Sequence, residues 1–110
     1  MNWFSNWWYE RQKLGGAKRS KEWSKVRYAH LKKFPACQVC GKIQNVVPHH
    51  IKPFHLFPEL ELEESNLISL CESSGMNCHI TFGHLGNFRK YNNDVLIDVK
   101  IWNKKITDSK

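Results

Sequence analysis

Residues 37–51 read CQVCGKIQNVVPHHI, and this stretch contains two features from which the rest of the chain can be interpreted. Cys37 and Cys40 are separated by two residues and followed by Gly41, a pattern typical of a zinc knuckle whose glycine takes a positive φ. The residues from Ile43 to Ile51 are then predicted to form a β-strand, which carries a pair of histidines near its end. The order predicts a metal-stabilised hairpin with a second, histidine-based site beside it.

The other two cysteines, Cys71 and Cys78, complete a candidate structural Zn²⁺ site with the knuckle. Six residues separate this second pair, so residues 72–77 must form a small loop. The first nine residues lack the apolar core and cleavage site of a secretion signal, and a reducing cytosol favours metal-bound thiolates. We therefore expect a cytoplasmic protein with zinc; a disulfide or buried free thiols are the alternatives.

The composition favours a small basic domain. The 110 residues include 17 Lys and Arg against 10 Asp and Glu, which gives a formal net charge of +7 and a sequence pI near 9.4. A chain of this length buries a limited core and depends on a staple such as a structural metal. Its charge attracts polyanions, with nucleic acid as the first candidate. No stretch approaches the length of a membrane span, so no membrane partner is expected.

A second constellation consists of His49, His50, Asn66 and His79. Hydrolysis of a phosphodiester needs a base that takes a proton from water and a cation that neutralises charge on the phosphate oxygens. Neighbouring side chains on a strand point to opposite faces, so His49 and His50 cannot share one role. One of them is expected to bind the metal and the other to activate water.

Periodicity predicts the remaining elements. Ser20 is expected to cap a helix that runs to Lys33, Leu67–Leu70 to form the second strand, and residues 78–85 to form a helix that ends at Gly86. A closing amphipathic helix is predicted from Asp94 onward, with apolar positions at helical spacing. Residues 1–19 are predicted to be an aromatic and basic appendage, and residues 20–107 the domain. The appendage aromatics are expected either to pack on the domain or a partner chain, or to stack on bases; they are Trp3, Phe4, Trp7 and Trp8.

Three segments resemble the HNH endonucleases of the ββα-metal superfamily: His49-His50-Ile51, the run NLISLC at 66–71, and Cys78-His79. Residues 16–20, 49–62 and 82–87 extend the likeness to small zinc-containing HNH proteins of phages and prophages. The resemblance covers roughly residues 15–107. It implies a small α+β domain of the ββα-metal, treble-clef-like kind, in which structural zinc pins the hairpin to a helix and further helices flank it.

The resemblance also implies roles for individual residues. His50 would be the general base, and His49 a ligand of the catalytic cation. Asn66 would hold the loop between the strands so that His50 is oriented, and His79 would be a ligand from the helix. Nuclease colicins have a further histidine four residues later, where this chain has Gly83.

His84 lies one position beyond that step, five residues after His79. A regular helix would turn His84 away from the cation and towards a substrate phosphate, because five residues cover more than one turn. His84 is therefore an uncertain metal ligand on this reasoning. The resemblance leaves the catalytic cation open among Mg²⁺, Mn²⁺, Ni²⁺ and Zn²⁺, although histidine ligands lean towards a transition metal.

The implied function is metal-dependent hydrolysis of DNA, with one strand nicked per active site and no small-molecule cofactor. The alternative is a catalytically silent zinc module that binds DNA or a protein. DNA is the expected partner, and phage packaging proteins are a further partner suggested by the resemblance. The side chains expected to grip phosphates are Lys18, Arg19, Lys21, Lys25, Arg89 and Lys90.

Overall fold

A computed structural model describes residues 19–73 and 76–109. The predicted appendage therefore lies outside the described residues, apart from Arg19, and so does Lys18. The elements are α1 (Trp23–Lys33), β1 (Val46–His50), β2 (Leu67–Cys71), a π-helix (His79–Gly83) and α2 (Val95–Asp108). Short 3₁₀ turns at Pro58–Leu60 and Glu64–Asn66 lie in the loop between the strands.

The two strands form an antiparallel hairpin, and the helices pack around it. Val46 pairs with Cys71 at one end of the hairpin, and His50 pairs with Leu67 at the other. Every residue of β2 is buried, so this strand forms the centre of the core. The predicted α+β fold is thereby confirmed, with a ββα arrangement in which the π-helix supplies the first helical turn after the hairpin. The core residues contacting β2 include Val39, Val95 and Val99.

Both strand and helix boundaries differ from the prediction at their N-terminal ends. The helix α1 begins at Trp23 because Ser20 forms a turn instead: its hydroxyl accepts the N–H of Glu22 at 3.0 Å. The strand β1 begins three residues after Ile43 because Asn45 has a φ of 55°, which interrupts extended backbone. Gly41 has a φ of 81°, as the predicted knuckle turn requires.

The helix predicted over residues 78–85 is a π-helix spanning His79–Gly83. It ends two residues earlier than predicted, and Leu85 and Gly86, which both have positive φ, then turn the chain. The closing helix is as predicted, because α2 buries Val95 and Val99 against the hairpin. Among the residues with described structure, no helix combines the length and apolar character needed to cross a membrane.

Candidate active site

The four cysteines form one cluster. Their sulfur atoms all lie within 4.8 Å of one another, and the sulfurs of Cys40 and Cys71 are 3.6 Å apart. Tetrahedral Zn²⁺ with Zn–S bonds of about 2.3 Å places its sulfurs about 3.8 Å from each other. All four thiols are free, so no disulfide competes for them. The cluster thus has the donor set and spacing of a structural zinc site, as predicted from the sequence.

The electrostatics of this cluster also favour a cation. Burial raises the pKa of Cys78, and the neighbouring sulfurs of Cys37 and Cys40 add to that rise. Burial acts in the same direction at Cys71, but backbone N–H groups of Cys78 and Ser73 overcome it and lower the pKa of Cys71 to about 7. Several thiolates cannot share a buried site without a compensating charge. A divalent cation supplies that charge.

Three histidines form a second cluster. The Nδ1 atom of His49 lies 3.1 Å from Nε2 of His79, and that atom lies 3.1 Å from Nε2 of His84. The expectation that His84 is turned aside is wrong, and the π-helix is the reason. Its i→i+5 pattern brings residues five apart onto one face, whereas an α-helix would separate them.

The outer nitrogens of two cluster histidines have hydrogen-bond acceptors. His79 Nδ1 donates to Oε2 of Glu72 at 2.8 Å, and His84 Nδ1 donates to the carbonyl of Lys90 at 2.8 Å. In the neutral imidazoles this arrangement leaves the lone pairs on the Nε2 atoms, so that two acceptors face each other at 3.1 Å. A metal ion bound to both would satisfy them, since Zn–N bonds of about 2.0–2.1 Å in a tetrahedral site give a similar separation. Histidine ligands usually have such an outer partner.

The side chain of His49 extends from β1 and packs against Gly83 of the π-helix. This side chain is 3% exposed, and burial together with the charges of His79 and His84 lowers its pKa to about 2. A Cβ atom at Gly83 would lie 2.9 Å from Cε1 of His49, which is closer than real side chains approach. The glycine at the four-residue step therefore makes room for the His49 ring. This contact explains why a histidine does not occupy that position.

His50 lies on the same strand, and its Nε2 donates to the backbone carbonyl of Glu61 at 2.9 Å. The proton is thereby assigned to Nε2, and Nδ1 carries the basic lone pair. Burial lowers the pKa of His50 to about 4. The hydrogen bond to the Glu61 carbonyl raises this pKa, and the charge of Arg19 lowers it further. The imidazole is consequently neutral at pH 7, as a general base must be.

Asn66 ties the loop between the strands to the end of the hairpin. Its Oδ1 accepts the N–H of Lys52 at 2.9 Å, while Nδ2 donates to the carbonyls of Lys52 and Leu60 at 3.0 and 3.3 Å. The residue after Leu60 is Glu61, whose carbonyl receives the His50 proton. Asn66 and His50 thus both contact the loop between the strands, Asn66 at Lys52 and Leu60 and His50 at Glu61.

One cleft, of about 120 Å³, joins these groups. His50 and the three cluster histidines line it together with Arg19 and Trp23. A larger hollow of about 290 Å³ elsewhere contains none of the cluster histidines, so size alone does not identify the site. The remaining basic residues predicted to bind DNA are exposed around α1 and after the π-helix; they are Lys21, Lys25, Arg89 and Lys90.

The sequence did not predict that two acidic residues, Glu61 and Glu72, would contact site residues. Glu72 follows the zinc-cluster residue Cys71 directly, and this position was the only signal that it could reach a helix histidine. Glu61 had no signal, because its partners Arg19 and His50 are distant in the chain. Both acids contact site residues through folded geometry that spacing does not reveal.

A comparison with protein families identifies the domain. The family model described as HNH endonuclease matches residues 37–84. No curated protein and no solved structure matches the chain. The matched segment contains both cysteine pairs, the hairpin and all three cluster histidines. Residues 37–84 are therefore similar to an HNH endonuclease domain.

Proposed function

We propose that the protein is a metal-dependent DNA endonuclease that hydrolyses one phosphodiester bond per active site and so nicks one strand. The observation that carries the proposal is the acceptor-to-acceptor contact of His79 and His84 at 3.1 Å, beside the neutral imidazole of His50. A cation site and a base in one cleft are what phosphodiester hydrolysis requires. The family match of residues 37–84 supports a nuclease-type function.

The histidine cluster would hold a divalent cation through Nδ1 of His49 and Nε2 of His79 and His84. Bound there, the ion would polarise the phosphate and stabilise the oxygen that leaves. Imidazole ligands favour Mn²⁺, Ni²⁺ or Zn²⁺ over Mg²⁺, which prefers oxygen ligands but is abundant in cells. Because the ligands carry no negative charge, the site would keep the full charge of the ion for an anionic phosphate.

His50 would take a proton from the attacking water through Nδ1. The water oxygen forms a new bond to phosphorus, the bond from phosphorus to one sugar oxygen breaks, and that oxygen leaves with the bonding electrons and gains a proton from solvent. Protonated His50 then returns its proton to solvent, so one water is consumed. Asn66 would keep His50 aligned through the loop contacts at Lys52 and Leu60.

The basic surface would bind the DNA backbone. The net charge of +7 attracts DNA without regard to sequence, and added salt should weaken the binding. Arg19 lies in the cleft itself, so it would contact the phosphate nearest the reaction. The exposed residues proposed to grip neighbouring phosphates are Lys21, Lys25, Arg89 and Lys90, with Lys18 before them in the chain. A phage or prophage origin and packaging partners stay predictions from the resemblance.

A plasmid-nicking assay tests the proposal. Purified protein that retains its structural zinc is incubated with supercoiled plasmid, with and without Mg²⁺, Mn²⁺, Ni²⁺ or Zn²⁺. We expect conversion to the open circle only with an added divalent ion, and inactivity of His79→Ala under the same conditions. A wild-type protein that binds DNA and the second metal yet never nicks would instead support the silent zinc module.

A further inference from the structure

Glu61 contacts two residues of the cleft, one through its side chain and one through its main chain. Its side chain is buried, with 5% exposed, and its carboxylate accepts the N–H of Ser20 at 3.0 and 3.3 Å. Oε2 forms an ion pair with Nη1 of Arg19 at 3.5 Å. The backbone carbonyl accepts the proton of His50 Nε2 at 2.9 Å. One residue therefore touches both the proposed phosphate ligand and the proposed base.

Aromatic rings complete the setting of Arg19. Its guanidinium lies 4.6 Å from the ring centroid of Phe54 and 5.2 Å from that of Trp23. The Trp23 ring in turn lies 4.6 Å from the ring of His50, at an interplanar angle of 31°. Arg19, Trp23 and His50 thus form a packed series, so a shift of the guanidinium would be transmitted to the base.

The charge of Glu61 is unfavourable for the proposed substrate. A carboxylate paired with a residue of this cleft repels a phosphate, and its burial without partners would be costly. Its partners are Arg19 and the Ser20 N–H, which join the segment before α1 to the loop between the strands. The contribution of Glu61 to catalysis must therefore come from position and not from attraction to DNA.

We infer that Glu61 is a positioning residue, which fixes Arg19 relative to His50 so that a phosphate bound by the guanidinium lies within reach of the base. The inference rests on the proposed nuclease function. It assigns Arg19 to the phosphate that is attacked and Glu61 to the geometry of the pair. Arginine suits this role because its planar fork binds phosphate through two parallel hydrogen bonds.

The sign of the effect in Glu61→Gln distinguishes positioning from simple charge. If the carboxylate only repels DNA, its neutralisation should tighten DNA binding, lower KM and leave kcat unchanged. If it positions Arg19, kcat should fall about 10- to 100-fold, as for misplacement of a reacting group by about 1 Å, while KM stays equal or falls. Glu63→Gln is the matched control. Glu63 lies two residues after Glu61 and is exposed, so this substitution removes the same charge nearby without touching Arg19.

A double-mutant cycle tests whether Glu61 acts through Arg19. Nicking is measured for the wild type, Glu61→Gln, Arg19→Met and the double variant, with zinc content and thermal unfolding of each. In the Arg19→Met background we expect Glu61→Gln to cost less than about threefold, because coupled residues are not additive. Multiplicative losses would overturn the inference, and so would a kcat unchanged in Glu61→Gln. Arg19→Lys keeps the positive charge but lacks the planar guanidinium. We expect it to bind DNA more tightly than Arg19→Met does, while its kcat stays as low.

A binding experiment separates this inference from the nuclease proposal and does not need a stable Glu61 variant. Short duplexes carry one uncharged methylphosphonate at a time, and their affinities are compared for wild type and Arg19→Met. We expect one position in the duplex at which the methylphosphonate weakens binding of the wild-type protein but does not change the affinity of Arg19→Met. Absence of any such position contradicts the inference even if plasmid is nicked. If one methylphosphonate position depends on Arg19 but plasmid is never nicked, the phosphate contact of Arg19 stands and the nuclease function is refuted.

Discussion

The cysteine cluster and the histidine cluster are built from adjacent residues but have opposite characters. Cys78 precedes His79, and Cys71 precedes Glu72, whose carboxylate holds the ring of His79. The cysteines offer four sulfur donors, enough to close a tetrahedral site, and three of them are buried. The histidines offer three nitrogen donors, one fewer than a closed tetrahedral site needs, and they line a cleft.

The difference shows how a small domain can combine a rigid metal site with an open one. Two peptide bonds, after Cys71 and after Cys78, connect the clusters, so a bound zinc would fix the backbone from which Glu72 and His79 project. The closed site would then contribute folding energy, while the open site would contribute chemistry. Substitutions in the two clusters should therefore give different kinds of defect.

The largest effect is expected for Cys71→Ser, which should unfold the domain. Loss of one thiolate removes metal-coupled folding energy, whose apparent size of about 10–16 kcal/mol in zinc-finger peptides matches or exceeds the roughly 5–15 kcal/mol stability of a whole domain. Zinc content and thermal unfolding should be measured on the same sample. His84→Ala is the comparison, since it should retain zinc and fold. A folded Cys71→Ser protein with full zinc would remove Cys71 from the structural site.

The next effect concerns the catalytic cation in His84→Ala. Because His84 Nε2 lies 3.1 Å from His79 Nε2, we expect His84→Ala and His79→Ala to weaken Mn²⁺ or Ni²⁺ binding alike, beyond the roughly 10- to 100-fold cost of losing an outer contact. Calorimetric titration of the zinc-containing protein measures this. His55→Ala is the control, since His55 lies near His84 but outside the cluster. Near-normal affinity in His84→Ala would return His84 to the phosphate-contacting role expected for a regular helix.

A smaller effect is expected for Gly83→Ala, which leaves every ligand in place. The added Cβ would lie 2.9 Å from Cε1 of His49, so the ring must shift and the metal affinity should fall roughly tenfold, a loss of the size seen when the support of a ligand is disturbed. Gly86→Ala is the matched control: no atom lies within 4 Å of its Cβ, although its φ of 85° strains the backbone. It should lower thermal stability without changing metal affinity. Equal affinities in both variants would show that the His49–Gly83 contact does not matter.

The sequence predicted most of the fold and which cysteines and histidines would lie together, because both depend on local spacing. Cys37 and Cys40 define a knuckle, and the histidine pair at the end of a strand indicates a metal and a base. The spacing alone predicted a regular helix, because a π-helix differs from an α-helix in its backbone hydrogen bonds and not in its composition. The predicted orientation of His84 was wrong for that reason. Glu61 could not be found either, since its contacts join residues brought together only by the fold.

The central claim is that the histidine cluster and His50 form a hydrolytic centre, and His50→Ala tests it most directly. Nicking of supercoiled plasmid and calorimetric binding of Mn²⁺ should be measured together for wild type and His50→Ala at saturating metal. The account predicts unchanged zinc content, unchanged Mn²⁺ affinity and at least the roughly hundredfold loss of nicking that removal of a positioned base causes. Wild-type nicking by a His50→Ala protein that retains both metals would contradict it.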